Sequence, residues 1–475
     1  MVRSVLPWLL LALALFSAYH VIKPIPAGLN LEGPLRSATD VEFLADRTYL
    51  DHAGERYIEH EIFDAILEMI ADARQFVLVD MFLFNDFQGE VAEKHRALSW
   101  ELTEALIAQK RQFPEMEIQV ISDPLNTLYG GKPLPQFTQL AAAGIPVTLT
   151  DHTALRDSNP LYSGFWRIFV RPFGNREADT LANPFGEGRV SARSYLALLN
   201  FKANHRKVII ADSGDELGAL VTSANPHDGS SAHSNVALRF TGAAAWDLLA
   251  SEKAVLAFSG GEIPVIISQP ATVSVASQSE EPTLQVVTER AVERALLAII
   301  NAAQAGERID MAAFYLSDRH IIRALKDAAQ RGVLVRVLLD PAKEAFGREK
   351  NGVPNRPVGH ELKRAGVEVR WCATRGEQCH SKWVLHQDLH GQATMLLGST
   401  NFTRRNLRNF NLETSVVLRG PIGFTALWQG SQWFDDQWYN RDGAMYSADY
   451  STFADERLRR RIQYRIMEAT GLSTF

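Results

Sequence analysis

The 475-residue sequence predicts an α/β protein of two similar lobes, each a mixed β-sheet flanked by helices. Apolar stretches with helical spacing alternate with short apolar runs that suit buried strands. The same order of segments then occurs a second time along the chain. A repeat of this size indicates two lobes related by a pseudo-twofold axis, with any shared site between them.

Three pairs of segments carry the repeat outside the polar motifs. An apolar helix leads into a strand that contains a buried aspartate, and Asp80 is matched to Asp310. A strand ending in Asp-Pro comes next, and a helix-glycine-strand unit follows it. The paired segments are 73–84 and 306–316, 120–124 and 337–341, and 141–147 and 363–369.

The spacing between the copies locates an insertion in the first lobe. Asp123 and Asp340 are 217 residues apart, but His205 and His380 are only 175 apart, a difference of 42. The extra residues lie near 153–200, where aromatic residues alternate with arginines. This composition suits a substrate lid or a membrane-facing element, and an ordinary insertion packed on the lobe is the alternative.

Each half of the chain contains a histidine and a lysine two residues apart, followed by an asparagine and another polar residue. Residues i and i+2 of a strand face the same side, so each imidazole should lie beside an ammonium group. A duplicated motif indicates one active site assembled from two halves. The residues are His205, Lys207, Asp212, Asn225 and Asn235 in the first half, and His380, Lys382, Asn401 and Glu413 in the second.

These residue types suit the cleavage and re-formation of a phosphodiester. One imidazole can attack phosphorus to give a phosphohistidine, and the other can protonate the leaving oxygen. Lysines and asparagines can hold the charge on the phosphoryl oxygens. A hydrogen bond from His380 to Glu413 would make that imidazole the more basic one. No H-E-x-x-H or C-x-x-C pattern occurs, so neither a metal nor a cofactor is expected.

The motifs resemble those of the phospholipase D superfamily, whose signature is H-x-K-x-x-x-x-D followed by a Gly/Ser-x-Asn turn. His205, Lys207 and Asp212 match the signature. The second copy has Gln387 at the aspartate position, with Asp388 one residue later. The resemblance implies phospholipase D-type lobes, with His205 as the nucleophile and His380 as the general acid.

An apolar N-terminus followed by two such lobes resembles bacterial cardiolipin synthases and related phosphatidyltransferases. We therefore expect phosphatidyl transfer or phospholipid hydrolysis, with phospholipids and a phospholipid membrane as partners. The alternatives are a nuclease or other nucleic-acid phosphodiesterase of the same superfamily, and an inactive membrane scaffold. The net charge of −6 provides no global basic field for nucleic acid, so no nucleic acid is expected as a partner.

The N-terminal segment predicts an association with the membrane. The run from Val5 to Val21 is almost wholly apolar, which is short for a membrane span and long for a signal-peptide core. An uncleaved anchor is favoured because Ala12-Leu13-Ala14 lies too early for a convincing cleavage site. The expected location is the bacterial inner membrane, with the catalytic domain outside the cytoplasm.

Composition divides the chain into five parts. They are an N-terminal anchor or signal segment (1–25), a first lobe (40–267), a linker (268–284), a second lobe (285–445) and a basic C-terminal helix (446–475). The linker is rich in Ser, Thr, Gln and Pro. Cys372 and Cys379 could form a disulfide in an exported chain, or be buried thiols in the cytosol.

Overall fold

The structure is a computed structural model that describes residues 2–38, 40–88, 95–262, 281–345, 348–473 and 475. Its two large sheets, one in each lobe, confirm the predicted α/β class. Two short hairpins accompany the large sheets. The hairpin strands are β7 (Leu181–Ala182), β8 (Arg189–Val190), β15 (Glu344–Ala345) and β16 (Arg348–Glu349).

The first sheet has eight strands in the spatial order β3-β2-β11-β10-β9-β4-β5-β6. Neighbours pair antiparallel except for β4, β5 and β6, which run parallel. The strands are β2 (Val41–Leu50), β3 (Arg56–Glu59), β4 (Phe76–Met81), β5 (Glu117–Ser122), β6 (Val147–Leu149), β9 (Lys207–Ser213), β10 (Glu216–Thr222) and β11 (Asn235–Thr241).

The second sheet has nine strands in the order β1-β12-β20-β19-β18-β13-β14-β17-β21. Here β13, β14 and β17 form the parallel part. The strands are β1 (Arg36–Ser37), β12 (Thr283–Thr288), β13 (Arg308–Ala313), β14 (Leu334–Leu339), β17 (Glu368–Cys372), β18 (Lys382–Gln387), β19 (Gln392–Gly398), β20 (Thr414–Pro421) and β21 (Ser447–Asp449).

The two sheets share one topology, which confirms the internal repeat. The order β2-β11-β10-β9-β4-β5-β6 of the first sheet corresponds to β12-β20-β19-β18-β13-β14-β17 of the second. The register corrects one sequence match, because Met81 pairs with Lys207 and Ala313 pairs with Lys382. Asp80 therefore corresponds to Ala312, and matching it to Asp310 was wrong by two residues.

Thirteen helices flank the sheets in the described part of the chain. Amphipathic spacing produces the outer layers, as in α8 and α9, whose buried residues recur every three or four positions. The helices are α1 (Val2–Ile22), α2 (Ile62–Asp72), α3 (Leu98–Gln112), α4 (Pro135–Ala142), α5 (Pro160–Phe169), α6 (Ala192–Leu198), α7 (Ala243–Ser259), α8 (Arg290–Ala302), α9 (Arg319–Gln330), α10 (Asn355–Lys363), α11 (Arg404–Leu407), α12 (Thr425–Tyr439) and α13 (Leu458–Thr470).

One apolar core joins the two lobes. Side chains from both sheets pack into it, including Val208 and Leu238 from the first lobe and Trp383 and Met395 from the second. Each lobe also has its own core beneath its outer helices. Burial on both faces explains why the central strands read as nearly continuous apolar runs.

The N-terminal segment differs from its prediction. It forms α1, which packs against α5 so closely that a Cβ on Gly164 would overlap Ser17. Among the helices of the described residues, none combines the length and the apolar character needed to cross a bilayer. The predicted membrane anchor was therefore wrong, and so was the placement at the bacterial inner membrane with an extracytoplasmic catalytic domain.

The predicted insertion near 153–200 contains α5, the β7–β8 hairpin and α6. Most of the predicted linker, residues 268–280, lies outside the described residues. The remainder leads into β12, which begins at Thr283. The predicted basic C-terminal region contains α13.

Candidate active site

The two His-Lys motifs meet where the lobes join. Each motif begins just before a central strand, and the strand itself starts at the lysine, so the histidine lies in the preceding turn. The backbone N–H of His205 donates to Leu412 of the second lobe at 2.9 Å, and that of His380 donates to Ser234 of the first lobe at 2.8 Å. Each catalytic candidate is thus tied to the opposite lobe through its own backbone.

The imidazole of His205 contacts Glu413 of the second lobe. Nδ1 lies 3.0 Å from Oε1 and 3.1 Å from Oε2 of this buried carboxylate. A carboxylate only accepts, so the proton belongs on Nδ1 and the lone pair of Nε2 is available to a substrate. The expected hydrogen bond between His380 and Glu413 was wrong, because Glu413 faces the histidine of the other lobe.

The imidazole of His380 has the matching contact with an amide. Its Nδ1 lies 3.1 Å from Oδ1 of Asn235 in the first lobe. The amide is oriented by its Nδ2, which donates to the carbonyl of His233 at 3.0 Å, so Oδ1 is the atom that accepts from the imidazole. The two histidines therefore have crossed partners, one charged and one neutral.

Two serines hold these partners in place, and the sequence analysis missed both. Ser223 donates to Asn235 at 2.9 Å, and Ser399 donates to Glu413 at 2.5 Å. Asn406 also donates to Glu413. The serines occupy equivalent positions in the two Gly/Ser-x-Asn turns, so the duplicated turn was the signal that could have identified them.

The two lysines also adopt equivalent positions. The ammonium of Lys207 donates to the carbonyl of His205 at 2.8 Å, and that of Lys382 donates to the carbonyl of His380. Phe82 contacts His205 and Lys207, and Phe314 makes the equivalent contacts with His380 and Lys382. Their rings lie 4.8 and 4.9 Å from the two imidazoles, and 5.0 and 5.2 Å from the two ammonium groups.

Burial and like charge suppress protonation throughout this group. Burial lowers the pKa of His205 to about 4, although Glu413 opposes the shift. It lowers the pKa of Lys207 to about 7 in the same way. The pKa values of His380 and Lys382 lie well below their ordinary values, through burial first and neighbouring cations second. An anion bound between these groups would reverse the cationic contribution.

The remaining predicted residues divide into two groups. Asn225 and Asn401 lie beside the histidines, where Oδ1 of Asn225 accepts from the Leu83 N–H at 3.2 Å and Oδ1 of Asn401 is buried without a partner among the described residues. Asp212 lies at the far end of β9 and accepts the backbone N–H groups of Arg74, Gln75 and Phe76 at 2.7 to 3.2 Å. The structure therefore does not bring Asp212 to the other candidates.

Two further aspartates hold the backbone immediately before each motif histidine. Asp123 accepts the N–H of Asn204 at 2.7 Å, and Asp340 accepts the N–H of Cys379 at 2.9 Å. Both follow the equivalent strands β5 and β14, so each holds the residue before a histidine. Burial raises the pKa of Asp340 to about 7. The repeated Asp-Pro pair was the sequence signal for this role.

A disulfide lies next to the second motif. Cys372 and Cys379 are joined, which closes the loop between β17 and His380. The sequence left open whether these residues are bonded or free thiols, and the structure has them bonded. The bond constrains the backbone on which His380 stands.

The site opens into a cavity of about 490 Å³ between the lobes. Both histidines and both motif asparagines line it. Its first-lobe wall is largely apolar, and the insertion contributes part of that wall through Pro184, Phe185 and Leu198. No aspartate or glutamate occurs among the described residues that line the cavity, which suits an anionic substrate.

One group in the described part of the chain has its donor atoms close enough together to hold a metal ion. It consists of Glu293, Asp318 and His320, and it does not line the cavity. Arg408 already donates to Asp318 at 2.8 Å, and Arg290 donates to Glu293 at 3.2 Å. These arginines neutralise the carboxylates that a metal would need.

Three solved structures resemble this chain to different extents. The phosphatidylserine synthase of Haemophilus influenzae Rd KW20 matches with a TM-score of 0.57 and 11% identity, over 94% of this chain and 96% of that one. The polyphosphate kinase of Porphyromonas gingivalis has a TM-score of 0.48 and 12% identity, over 92% and 53%. Nuc of Salmonella typhimurium, a phospholipase D family member, has 0.28 and 21%, over 36% and 99%. The first of these matches establishes a shared fold.

Two lobes of one topology, with a histidine from each lining a single cavity and a lysine beside each histidine, define a duplicated α/β protein whose site is shared between the lobes. Residues 296–438 match the family described as "Cardiolipin synthase, PLD-like domain". No curated protein matches the sequence. The second lobe is thus similar in sequence to the PLD-like domain of cardiolipin synthases.

Proposed function

We propose that the protein transfers the phosphatidyl group of a phospholipid through a phosphohistidine on His205, or hydrolyses the phospholipid when water is the acceptor. The observation that carries this proposal is the crossed pairing at the cavity. Glu413 and Asn235 orient the two imidazoles, so that each Nε2 is available to one substrate bound between the lobes. The difference between the partners supports distinct roles for the two histidines.

In the first step, Nε2 of His205 attacks phosphorus and forms an N–P bond. The P–O bond to the headgroup breaks, and protonated His380 gives its proton to the departing oxygen. Glu413 stabilises the positive charge that develops on His205, since its oxygens lie 3.0 to 3.1 Å from Nδ1. The negative charge of the bound phosphodiester favours protonation of His380 before this step.

In the second step, neutral His380 removes a proton from an alcohol or a water molecule. The resulting oxygen attacks phosphorus, the N–P bond breaks, and His205 is regenerated. Lys207, Lys382, Asn225 and Asn401 hold the phosphoryl oxygens through both steps. Asp212 takes no part, because its contacts with the backbone at 74–76 keep it away from the cavity.

The walls of the cavity support a lipid donor. Leu83, Leu125, Phe185 and Leu198 give the first-lobe wall an apolar surface suited to the diacylglycerol part of a phospholipid. The insertion also exposes a strip of large apolar residues outside the cavity. Its members are Leu161, Phe165, Ile168, Phe169 and Phe173, and the exposed Arg171 and Arg176 accompany them. Such a surface suits contact with anionic lipid.

Product analysis tests the proposal. The purified protein would be incubated with mixed phosphatidylglycerol and phosphatidylethanolamine vesicles, beside His205→Ala and His380→Ala variants. Cardiolipin that disappears in both variants is the expected sign of transfer, and phosphatidic acid alone is the sign of hydrolysis. An absence of lipid products from the folded wild-type protein would refute the proposed function.

A further inference from the structure

The two halves of the cavity differ at one pair of equivalent positions. Four residues after Asn225, the first-lobe turn has Gly229, whereas four residues after Asn401 the second-lobe turn has Arg405. Arg405 lies on α11 and lines the cavity. The pseudo-twofold is therefore broken at this position, where the second-lobe half has a cation and the first-lobe half has a glycine.

Arg405 is a buried cation without an acidic partner. Its side chain is 6% exposed, and it donates to neutral oxygens: from Nε to Ser158 at 3.2 Å, and from Nη2 to the carbonyls of Gly471 and Ser473 at 2.9 and 2.7 Å. Burial lowers its pKa to about 10, so the guanidinium remains charged at neutral pH. Its Nη1 has no hydrogen-bond partner among the described residues.

A buried charge is costly unless an anion accompanies it. The cavity contains an instructive contrast, since Lys202 also lines it but forms an ion pair at 2.5 Å with Asp157, a carboxylate that it shares with Arg167. Glu468 is the acidic group whose charge acts on Arg405, but its oxygens accept from Ser317 at 2.7 Å and from the N–H of Arg404 at 2.9 Å, and no ion pair to Arg405 occurs within the described residues. Nη1 of Arg405 is therefore available to an anion that enters the cavity.

A second cation, Lys350, lies on the second-lobe wall of the cavity. Lys350 lines the cavity, contacts the hydroxyl of Tyr315, and lies 5.0 Å from the centre of that ring. No ion pair to Lys350 occurs within the described residues. The ring of Phe475 lies 6.1 Å from that of Tyr315. The second-lobe wall thus offers two cations, Arg405 and Lys350, in addition to the second-lobe motif lysine Lys382 behind it.

We propose that Arg405, with Lys350, forms a second anion subsite that recognises a phosphate or carboxylate on the alcohol exchanged at the site. This inference rests on the proposed function. The departing headgroup and the incoming acceptor occupy the same side of phosphorus, opposite His205, because both exchange protons with His380. The subsite lies in the half that contains His380, so it selects acidic alcohols over neutral or cationic ones.

Competing acceptors test the subsite. The ratio of kcat/KM for sn-glycerol 3-phosphate to that for glycerol would be measured with a phosphatidylglycerol donor and isotopically labelled acceptors, since transfer to glycerol regenerates phosphatidylglycerol. Arg405→Gln is expected to lower this ratio at least ten-fold, and Arg405→Lys is expected to lower it less. The matched control is Arg404→Gln, on the same helix but outside the cavity, which should keep the wild-type ratio. An unchanged ratio in folded Arg405→Gln protein would overturn the subsite.

A parallel pair of acceptors separates the two anion chemistries. If the ratio for L-serine over ethanolamine falls with Arg405→Gln as well, the subsite accepts carboxylates; if only the phosphate pair responds, it is a phosphate site. Because Arg405 also holds Ser158 and the C-terminal carbonyls, its loss could unfold the protein. Lys350→Gln then serves as the test, and an unchanged phosphate ratio in that variant would overturn the proposal.

A binding measurement separates this inference from the proposed function. Calorimetric titration of glycerol 3-phosphate into the His205→Ala protein needs no turnover. Binding that weakens at least ten-fold when Arg405→Gln is added supports the subsite, even if the wild-type protein yields no lipid product. If lipid turnover is normal and the affinity for glycerol 3-phosphate is unchanged by Arg405→Gln, the proposed function is retained and the subsite is refuted.

Discussion

His205 in the first lobe and Glu413 in the second lobe lie 3.0 Å apart, measured from Nδ1 to Oε1. His380 has only an amide, Asn235, at the equivalent position. We predict that Glu413→Gln lowers kcat on the order of 10²- to 10⁴-fold, the range usual for disturbed acid–base catalysis. Steady-state kinetics on lipid vesicles would measure the loss.

The opposite change is a matched control. Asn235→Asp places a carboxylate beside His380 and should raise the pKa of that imidazole, which moves the alkaline limb that the general acid sets to higher pH. If Glu413→Gln retained full activity, the oriented imidazole of His205 would not be the reason for catalysis.

A second prediction concerns the covalent intermediate. With a p-nitrophenyl phosphodiester, whose leaving group needs no proton, the His380→Ala variant should accumulate a phosphohistidine on His205. Mass spectrometry of peptides from protein quenched at alkaline pH would locate it. The same adduct on His380 in the His205→Ala variant would reverse the two roles.

A third prediction concerns pH. The pKa of His205 is lowered to about 4, so the nucleophile is unprotonated above that pH. The pKa of Lys207 is lowered to about 7, so its ammonium is lost as pH rises through that value. Because kcat/KM reports the free enzyme, it should rise through about pH 4, fall as the general acid His380 loses its proton at its lowered pKa, and fall again through about pH 7.

The alkaline limb is assigned by substitution. An arginine stays protonated, so Lys207→Arg should move the second fall in kcat/KM, the one near pH 7, to higher pH while lowering the maximum of kcat/KM. A fall that stays near pH 7 in this variant would assign the limb to another group.

A fourth prediction concerns stability. Arg206 is fully buried and donates to Glu252 at 2.8 Å and to Glu289 at 2.6 Å, which ties β9 to the second lobe. Arg206→Met leaves both carboxylates buried without their cation and should lower the free energy of unfolding by about 3 to 5 kcal/mol. Chemical denaturation would measure the change.

Arg239 provides the comparison for that experiment. It pairs with Glu42 and Glu68 at the surface, each at 2.8 Å. Arg239→Gln should change the free energy of unfolding by less than about 1 kcal/mol. Equal losses in the two variants would mean that burial of the Arg206 pairs contributes nothing.

A fifth prediction tests the apolar strip of the insertion. The side chains of Phe169 and Phe173 are 55% and 69% exposed. Replacing both with alanine should weaken binding to anionic vesicles by about 10-fold or more, because each inserted ring contributes roughly 1 to 2 kcal/mol. Vesicle sedimentation would measure it. Leu389→Ala, a change at a residue that is 69% exposed on the second lobe, should bind like the wild type.

The fold was predictable because both copies of the repeat bury their central strands on two faces. Periodicity alone therefore identifies the strands, and the repeat shows that their order along the chain is the same in both lobes. The placement of the motif residues was also predictable, since strand starts hold His205, Lys207, His380 and Lys382 in equivalent positions. The match of Asp80 with Asp310 failed because each is a buried aspartate in an equivalent strand. The strand pairing shows that the two positions differ by two residues.

Contacts between the lobes could not be predicted. Glu413 was assigned to the nearer histidine in sequence, but packing of the two sheets across the common core carries it to His205. The role of Arg405 is equally invisible in the sequence, because it depends on carbonyls of 471 and 473 and on the insertion at Ser158. The apolar N-terminal run failed as an anchor signal because composition alone does not reveal that α1 packs against α5.

Strand β1 precedes the first lobe in the chain, yet it pairs with β12 at the edge of the second sheet. Gly33 and Ala38 extend this seam with backbone hydrogen bonds at 2.9 Å to Val286 and Pro282. A segment that precedes the first lobe in the sequence therefore belongs to the sheet of the second lobe in space. The arrangement is similar to a domain swap within one chain. A second lobe separated from residues 33–38 would expose the unpaired edge of β12, a surface that invites aggregation. An ancestral single lobe would have needed another means to protect that edge.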